Sequence, residues 1–173
     1  MPKKDIALIT GGGTGIGLSI AKKLHSMNKT VVLTGRRKEK LLEAKKLLKS
    51  RCHIVENDIS NLNSIPDLVN DIEKEIGPIN FLINNAGTHL RKIAVETTDA
   101  EWKSVIDTNL NSVFSLSREC AKKMIKRKRG NIILVGSVTT IMGLPDVTAY
   151  ATSKTALSGL ARTLAIELGK YSI

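Results

Sequence analysis

The sequence predicts an α/β fold, a doubly wound parallel sheet with helices on both faces. Three observations predict it. Short runs of apolar, mostly branched residues recur along the chain, and each is followed by a longer amphipathic stretch. A glycine-rich string joins the first run to the first amphipathic stretch. Runs that are apolar throughout, rather than at every second position, are what a parallel sheet buried on both faces requires. Alternation of strand and helix, with right-handed crossovers, then gives the doubly wound arrangement.

The predicted strands are, in order, Ile6-Ala7-Leu8-Ile9, Val31-Val32-Leu33, His53-Ile54-Val55, Ile79 to Ile83 and Ile132 to Val135. Helices are expected over roughly 15–28, 37–49, 61–76, 98–129 and 149–168. In the second helix Leu41, Leu42, Ala44, Leu47 and Leu48 keep helical spacing, with lysines on the opposite side. In the fourth, Trp102, Val105, Ile106 and Leu110 do the same and are read as packing residues. Gly169 is placed to terminate the last helix.

At 173 residues, 42% of them hydrophobic, the chain can bury a core and is not a disordered segment. No repeats, low-complexity tracts or Pro/Ser linkers interrupt it, so residues 1–173 are expected to form a single domain, and the glycine-rich string between its first strand and first helix marks that domain as a dinucleotide-binding one of Rossmann type. No apolar stretch approaches ~18 residues, so no membrane span is expected. The start, Met1-Pro2-Lys3-Lys4-Asp5, carries no secretory pattern. Cys52 and Cys120 cannot staple a fold of this size and point to a reducing compartment, hence a cytoplasmic protein.

The net charge of +11 invites a polyanion, a phosphorylated ligand included. Lys122, Lys123, Lys126, Arg127, Lys128 and Arg129 close the fourth helix, where cations complement the helix dipole, so a solvated helix end is expected. The alternative is a nucleic-acid patch, but it lacks interleaved aromatics. Nucleic acid is therefore not an expected partner.

Thr10-Gly11-Gly12-Gly13-Thr14-Gly15-Ile16-Gly17 follows the first strand and opens the first helix. Glycines there permit a tight turn and a close approach of backbone to a pyrophosphate, and the helix N-terminus offers unpaired N–H groups to the anion. A plain structural turn is the competing reading. No Gly-Lys-Ser/Thr ending follows, which disfavours a P-loop. The second strand runs into Thr34-Gly35-Arg36-Arg37-Lys38, with no carboxylate for ribose hydroxyls. Arg36 and Arg37 suit a 2′-phosphate instead, so NADP(H) is the preferred cofactor, with NAD(H) also admitted. A solvated helix start is the alternative for these cations.

Tyr150 and Lys154 stand four apart on one face of a helix. A free phenol titrates near ~10, and a fixed cation beside it favours the phenolate, which makes the pair a proton donor and acceptor. Ser137, thirteen residues earlier and just past the fifth strand, can offer its hydroxyl to the same crevice at the carboxyl ends of the strands.

Together these residues resemble the short-chain dehydrogenase/reductase family, over essentially the whole chain. The family's glycine motif matches Thr10, Gly11, Gly15, Ile16 and Gly17. Asp58, in Asn57-Asp58-Ile59, matches the acidic residue that touches adenine, and Asn84-Asn85-Ala86-Gly87 matches the segment that lines the cofactor site. Asn109 falls where the family has its catalytic asparagine, and Ser137, Tyr150 and Lys154 match the other catalytic positions. The resemblance implies hydride transfer between nicotinamide and a carbonyl or secondary alcohol. Tyr150 would be the proton donor and Ser137 would bind the substrate oxygen. Lys154 would act on Tyr150 and the ribose, and Asn109 would hold a water linking Lys154 to solvent. It also implies a homo-oligomer, a tetramer or dimer, formed through the helices over 98–129 and 149–168. A metal is not expected.

The sequence departs from the family at Thr14, where NADP-preferring members often carry a basic residue, so that preference rests on Arg36 and Arg37. The family continues into a sixth strand, a Pro-Gly turn, a substrate loop and a seventh strand. The chain stops at Tyr171-Ser172-Ile173 and is therefore expected to be C-terminally incomplete. The run from Asn85 to Asn109, with Arg91, Glu96 and Trp102, looks like reductases of sugar acids such as gluconate dehydrogenases. The rest suits 3-oxoacyl-carrier-protein reductases equally. His89 is read as a plain loop histidine, with a place at the pocket mouth as the alternative. Two other functions stay open: an inactive dinucleotide-binding or partner-binding protein, and a basic nucleic-acid-binding protein on this fold.

Overall fold

A computed structural model describes residues 5–173, so the expectation about the stretch Met1-Pro2-Lys3-Lys4 lies outside it. Five strands, β1 (Ile6–Thr10), β2 (Thr30–Gly35), β3 (Cys52–Glu56), β4 (Ile79–Asn84) and β5 (Asn131–Leu134), form one parallel sheet in the order β3-β2-β1-β4-β5. The sheet grows outward from β1 in one direction through β2 and β3. It then restarts on the other side with β4 and β5, which leaves a crevice at the carboxyl ends of β1 and β4. All five predicted strands are present within a residue or two.

The helices are α1 (Gly15–Ser26), α2 (Lys38–Leu48), α3 (Ile65–Glu75), α4 (Asp99–Ile106), α5 (Ser112–Arg127) and α6 (Thr148–Gly169). Because alternate strand residues face opposite ways, the sheet supports two dry cores. Ile6, Leu8 and Leu82 pack against Ile65, Leu68 and Ile72 of α3 and Leu116 and Met124 of α5. Ala7, Ile9 and Leu33 pack against Ala21 of α1 and Leu41 and Ala44 of α2. Residues Ile6 to Ile9 have no exposed surface, which explains why β1 is apolar at every position. Asn80 is an extra residue opposite the start of β1, where the register shifts, and its side-chain oxygen accepts from the Ile6 N–H at 3.2 Å.

The structure corrects four local expectations. The helix expected over 98–129 is interrupted by a π turn at Asp107–Asn111, which carries the fully buried Asn109. Such a turn inserts a single residue and barely disturbs the hydrophobic period, so the sequence hides it. Trp102, read as packing, is exposed, and Val105 alone of its group is fully buried. Gly169 is the last residue of α6 rather than its terminator, and the left-handed residue of the following turn is Ser172 (φ 61°). The basic end of α5 is not simply solvated. Arg127 donates to Glu73 at 2.8 Å and to the Ile79 carbonyl at 2.7 Å, Arg129 pairs with Asp5 at 2.7 Å, and Lys122 pairs with Glu119 at 2.9 Å.

Glu73 also accepts from the Ile79 N–H at 3.0 Å, so Glu73 and Arg127 together staple α3, α5 and the start of β4. Glu73→Ala strands a half-buried guanidinium and a β-strand amide. The expected loss is about 2 kcal/mol in urea unfolding, the usual scale for hydrogen bonds to charged groups.

Candidate active site

The site begins where β1 and β4 end. Thr10 is 1% exposed, and its hydroxyl accepts from the Asn85 N–H at 3.0 Å and the Ala86 N–H at 2.9 Å. The Asn85 side-chain amide returns a bond to the Thr10 carbonyl at 2.9 Å. This lattice presses the glycine loop against the segment after β4. Gly11 has φ +63°, and a Cβ on it would stand 3.1 Å from the Ala86 Cα. A Cβ on Gly17 would lie 2.4 Å from the Gly11 carbonyl oxygen, so the start of α1 can dock there only as glycine.

The first bond of α1 runs from the Leu18 N–H to the Thr14 carbonyl at 3.1 Å. The amides of residues 15–17 precede it. Thr14 gives no side-chain cap, and the first turn has no acidic residue. The helix end is therefore an anion site of backbone donors and dipole.

In front of it opens a cleft of about 370 Å³ that brings together most of the expected cofactor residues: Gly11, Thr14, Gly15, Ile16, Arg36, Arg37, Asp58, Ile59, Asn85, Ala86 and Gly87. Gly17 lies behind the wall, buried, as the docking point just described. Arg37 donates to the Thr14 hydroxyl at 3.4 Å, so a guanidinium reaches position 14 from across the cleft. Arg36 is exposed, 4.0 Å from a carboxylate oxygen of Asp58. The other Asp58 oxygen is occupied by the Ser60 N–H and hydroxyl, at 3.0 and 2.8 Å. Thr34 and Asn57 also line the cleft, which sequence reasoning missed. Their side-chain oxygens are buried without a hydrogen-bond partner. Orphaned buried oxygens, an uncapped helix end and two guanidiniums together fit a phosphorylated nucleotide with hydroxyl and amino donors.

At the other end of the cleft Gly87 faces Asn109 and Lys154. A Cβ on it would be 3.2 Å from the Asn109 side-chain oxygen and 3.7 Å from the Lys154 amine. Lys154 is 4% exposed and donates to the Val135 carbonyl at 2.7 Å, and burial pushes its ammonium below the ordinary lysine range. Its nitrogen is 5.9 Å from the Tyr150 ring centroid. Ser137, at the mouth of β5, accepts from the Thr139 N–H at 3.2 Å and the Thr139 hydroxyl at 3.0 Å, which leaves its own proton to donate elsewhere. Lys154 thus lies between Gly87, Tyr150 and the carbonyl of Val135, two residues before Ser137, and none of Ser137, Tyr150 and Lys154 lines the cleft itself.

The Asn109 carboxamide is fully engaged. It accepts from the Thr88 N–H at 2.7 Å and donates to the Thr88 carbonyl at 2.9 Å and the Ser153 hydroxyl at 3.1 Å. Both amide protons are spent on protein partners, so this side chain acts as a clamp between β4's loop and α6. His89, read as a plain loop residue, packs against Tyr150 with ring centroids 4.6 Å apart. Its only sequence signal was its position two residues beyond Gly87. Among the described residues no group of three or more His, Cys, Asp or Glu could hold a metal ion, and no helix is long and apolar enough to cross a membrane.

Known proteins resemble this chain in sequence and fold. The sequence model of the family described as short chain dehydrogenase matches residues 5–173. A 3-oxoacyl-[acyl-carrier-protein] reductase of Buchnera aphidicola subsp. Baizongia pistaciae is 36% identical over 171 residues, which is 98% of this chain and 70% of that protein. A gluconate 5-dehydrogenase of Gluconobacter oxydans is 34% identical over 170 residues, 96% of this chain and 66% of that protein. The crystal structure of a metagenomic short-chain oxidoreductase in complex with NADP superimposes with a TM-score of 0.93 at 33% identity, over 96% of this chain and 77% of that one. The chain therefore spans roughly two thirds to three quarters of these relatives. A match of the family model along nearly the whole chain makes it a member of the short-chain dehydrogenase family.

Proposed function

We propose that residues 1–173 form the dinucleotide-binding and catalytic part of an NADP(H)-dependent oxidoreductase. It would interconvert a small-molecule carbonyl and its secondary alcohol, in the manner of a 3-oxoacyl-carrier-protein reductase or a sugar-acid dehydrogenase. The observation that carries the reading is the buried Lys154, which faces Gly87 at one end of a cleft built on an uncapped helix end, stands beside the Tyr150 ring and donates to Val135 two residues before Ser137. A nicotinamide held in this cleft would supply or accept the hydride. Everything else falls to the chain.

Ser137, its oxygen already accepting two bonds, donates its proton to the substrate oxygen and orients it. Tyr150 gives that oxygen its proton. The Lys154 cation favours the negative charge that develops on the phenol oxygen, and the Val135 carbonyl holds it there. Asn109 has the role of fixing Ser153, and through it the turn of α6 that carries Tyr150: the Ser153 hydroxyl donates to the Tyr150 carbonyl at 2.7 Å. At the other end of the cleft, Arg36 and Arg37 receive a 2′-phosphate, and Arg37 supplies the cation that Thr14 does not.

Self-association belongs to the same reading, supported by exposed apolar side chains on the helices concerned: Phe114 on α5 and Ile166 on α6. A cytoplasmic setting is supported by the two cysteines, which are buried and free. Burial pushes the Cys52 thiol up to about 11 and Cys120 upward as well, so both pack rather than react.

Three outcomes test the reading. NADPH at about 100 times its dissociation constant adds ~2.7 kcal/mol to unfolding, so a thermal melt should rise further with NADPH than with NADH, and Arg36→Glu should reverse that order. Tyr150→Phe should lower carbonyl reduction by at least ~100-fold while the NADPH-induced rise in melting temperature persists, and retained turnover would remove Tyr150 from the chemistry. Lys154 makes stability depend on pH. Its folded value is lowered, so between that value and 10.5 the unfolded chain binds more protons and stability climbs with pH. Below that window the cost of burying the cation is fully present. Lys154→Met should flatten this rise, read as melting temperature from pH 7 to 10.

A further inference from the structure

His89 is the neighbour of Tyr150 to which the proposed reaction gives no task. Its imidazole lies 4.6 Å from the phenol ring, centroid to centroid, with the planes tilted by 49°. The residue is exposed, and among the described residues neither ring nitrogen has a hydrogen-bond or ion-pair partner. A phenyl ring would pack on Tyr150 as well. An imidazole adds two nitrogens that can donate and accept.

The backbone that carries the ring is held on both sides. One residue before it, Thr88 is clamped at both its N–H and its carbonyl by the buried Asn109 carboxamide. Three residues after it, the Lys92 N–H donates to the Asp146 carbonyl at 2.8 Å, and the Lys92 amine meets Glu101 at 2.9 Å. The anchors are the π turn, α4 and the strand-like stretch that leads into α6. The chain leaves the cleft at Gly87 and reaches Tyr150 at His89, so it brings a protic group to the reacting end with little freedom to move away. The Ser137 and Tyr150 hydroxyls both serve the oxygen of the reacting carbonyl. A further hydrogen-bonding group beside Tyr150 meets whatever the substrate carries next to that carbonyl.

We propose that His89 determines specificity: it hydrogen-bonds a second oxygen function borne one or two carbons from the reacting carbonyl, so that oxygen-substituted ketones are taken in preference to plain ones. The inference rests on the reading of Ser137 and Tyr150 as the carbonyl-binding pair.

The test is NMR of the isotopically labelled 173-residue chain with NADP⁺ present, following the imidazole signals of its three histidines and the amides of Ser137 and Tyr150. Two pairs of probes replace a methyl by a hydroxyl: butan-2-one against hydroxyacetone, and pentan-2-one against 4-hydroxybutan-2-one. At least one hydroxyketone should shift the His89 imidazole together with both amides. It should bind ~3–10-fold more tightly than its methyl partner, the range of one neutral hydrogen bond. That ratio should fall toward one in His89→Leu and recover in part in His89→Gln. The proposal is overturned if the amides respond alike to both members of each pair while the His89 imidazole stays still, or if the ratio survives His89→Leu. In either case the carbonyl site stands without it. If no ketone perturbs Ser137 or Tyr150, the carbonyl-site reading fails and the proposal fails with it.

Discussion

The buried hydroxyl of Thr10 is the point on which the site depends. It receives two backbone amides of the loop after β4, while Asn85 returns a side-chain bond to the Thr10 carbonyl. These bonds lie where water does not compete, so they hold their geometry. They bring the glycine loop so close to β4's loop that a Cβ at Gly11 would press on Ala86, while one at Gly17 would collide with the Gly11 carbonyl and the Asn85 side chain. The uncapped start of α1, the lining at Asn85 to Gly87 and the stretch on to His89 all take their positions from this contact.

From there a polar line runs through the interior at the carboxyl end of the sheet. The Asn84 amide donates to the Ser117 hydroxyl at 3.1 Å, Asn109 joins Thr88 to Ser153, and Lys154 reaches the Val135 carbonyl. The rest of the sheet lies between two dry cores that supply most of the burial energy. Polar groups are affordable in the interior only when paired. Among the described residues three buried side-chain atoms lack a partner: Arg127 Nε, whose guanidinium is bonded through its other nitrogens, and the Thr34 and Asn57 oxygens, which lie where a ligand can complete them.

Charge follows the same division. Lys29, Arg127 and Arg129 are each tied to a carboxylate of the same chain and serve the fold. Arg36 and Arg37 stand at the rim of the cleft, at a helix start whose dipole repels them, Arg36 at the 4.0 Å limit of an exposed pair with Asp58 and Arg37 on the Thr14 hydroxyl. The net charge of +11 does not distinguish these two groups. Their positions do.

The strands, the helix periods, the glycine loop and the spacing of Ser137, Tyr150 and Lys154 were legible because each is set by residues close in sequence. Apolar runs require two-sided burial whatever packs on them, and four residues of helix put Tyr150 and Lys154 on one face. The family resemblance added Asp58, Asn85 and Asn109 through local motifs of the same kind. Other features depend on partners 21 to 75 residues away, such as the Asn109 clamp on Thr88 and the Thr10 bonds to Asn85. The stacking of His89 on Tyr150, the exposure of Trp102, the arrival of Arg37 at Thr14 and the orphaned oxygens of Thr34 and Asn57 are of this second sort. By itself the sequence determined the sheet, its loop and which residues are the candidates for the reaction, since local pattern fixes which face of an element is buried. Only the tertiary structure decided which polar atoms are spent on the protein and which remain for a ligand, because that depends on what the fold brings within 3 Å.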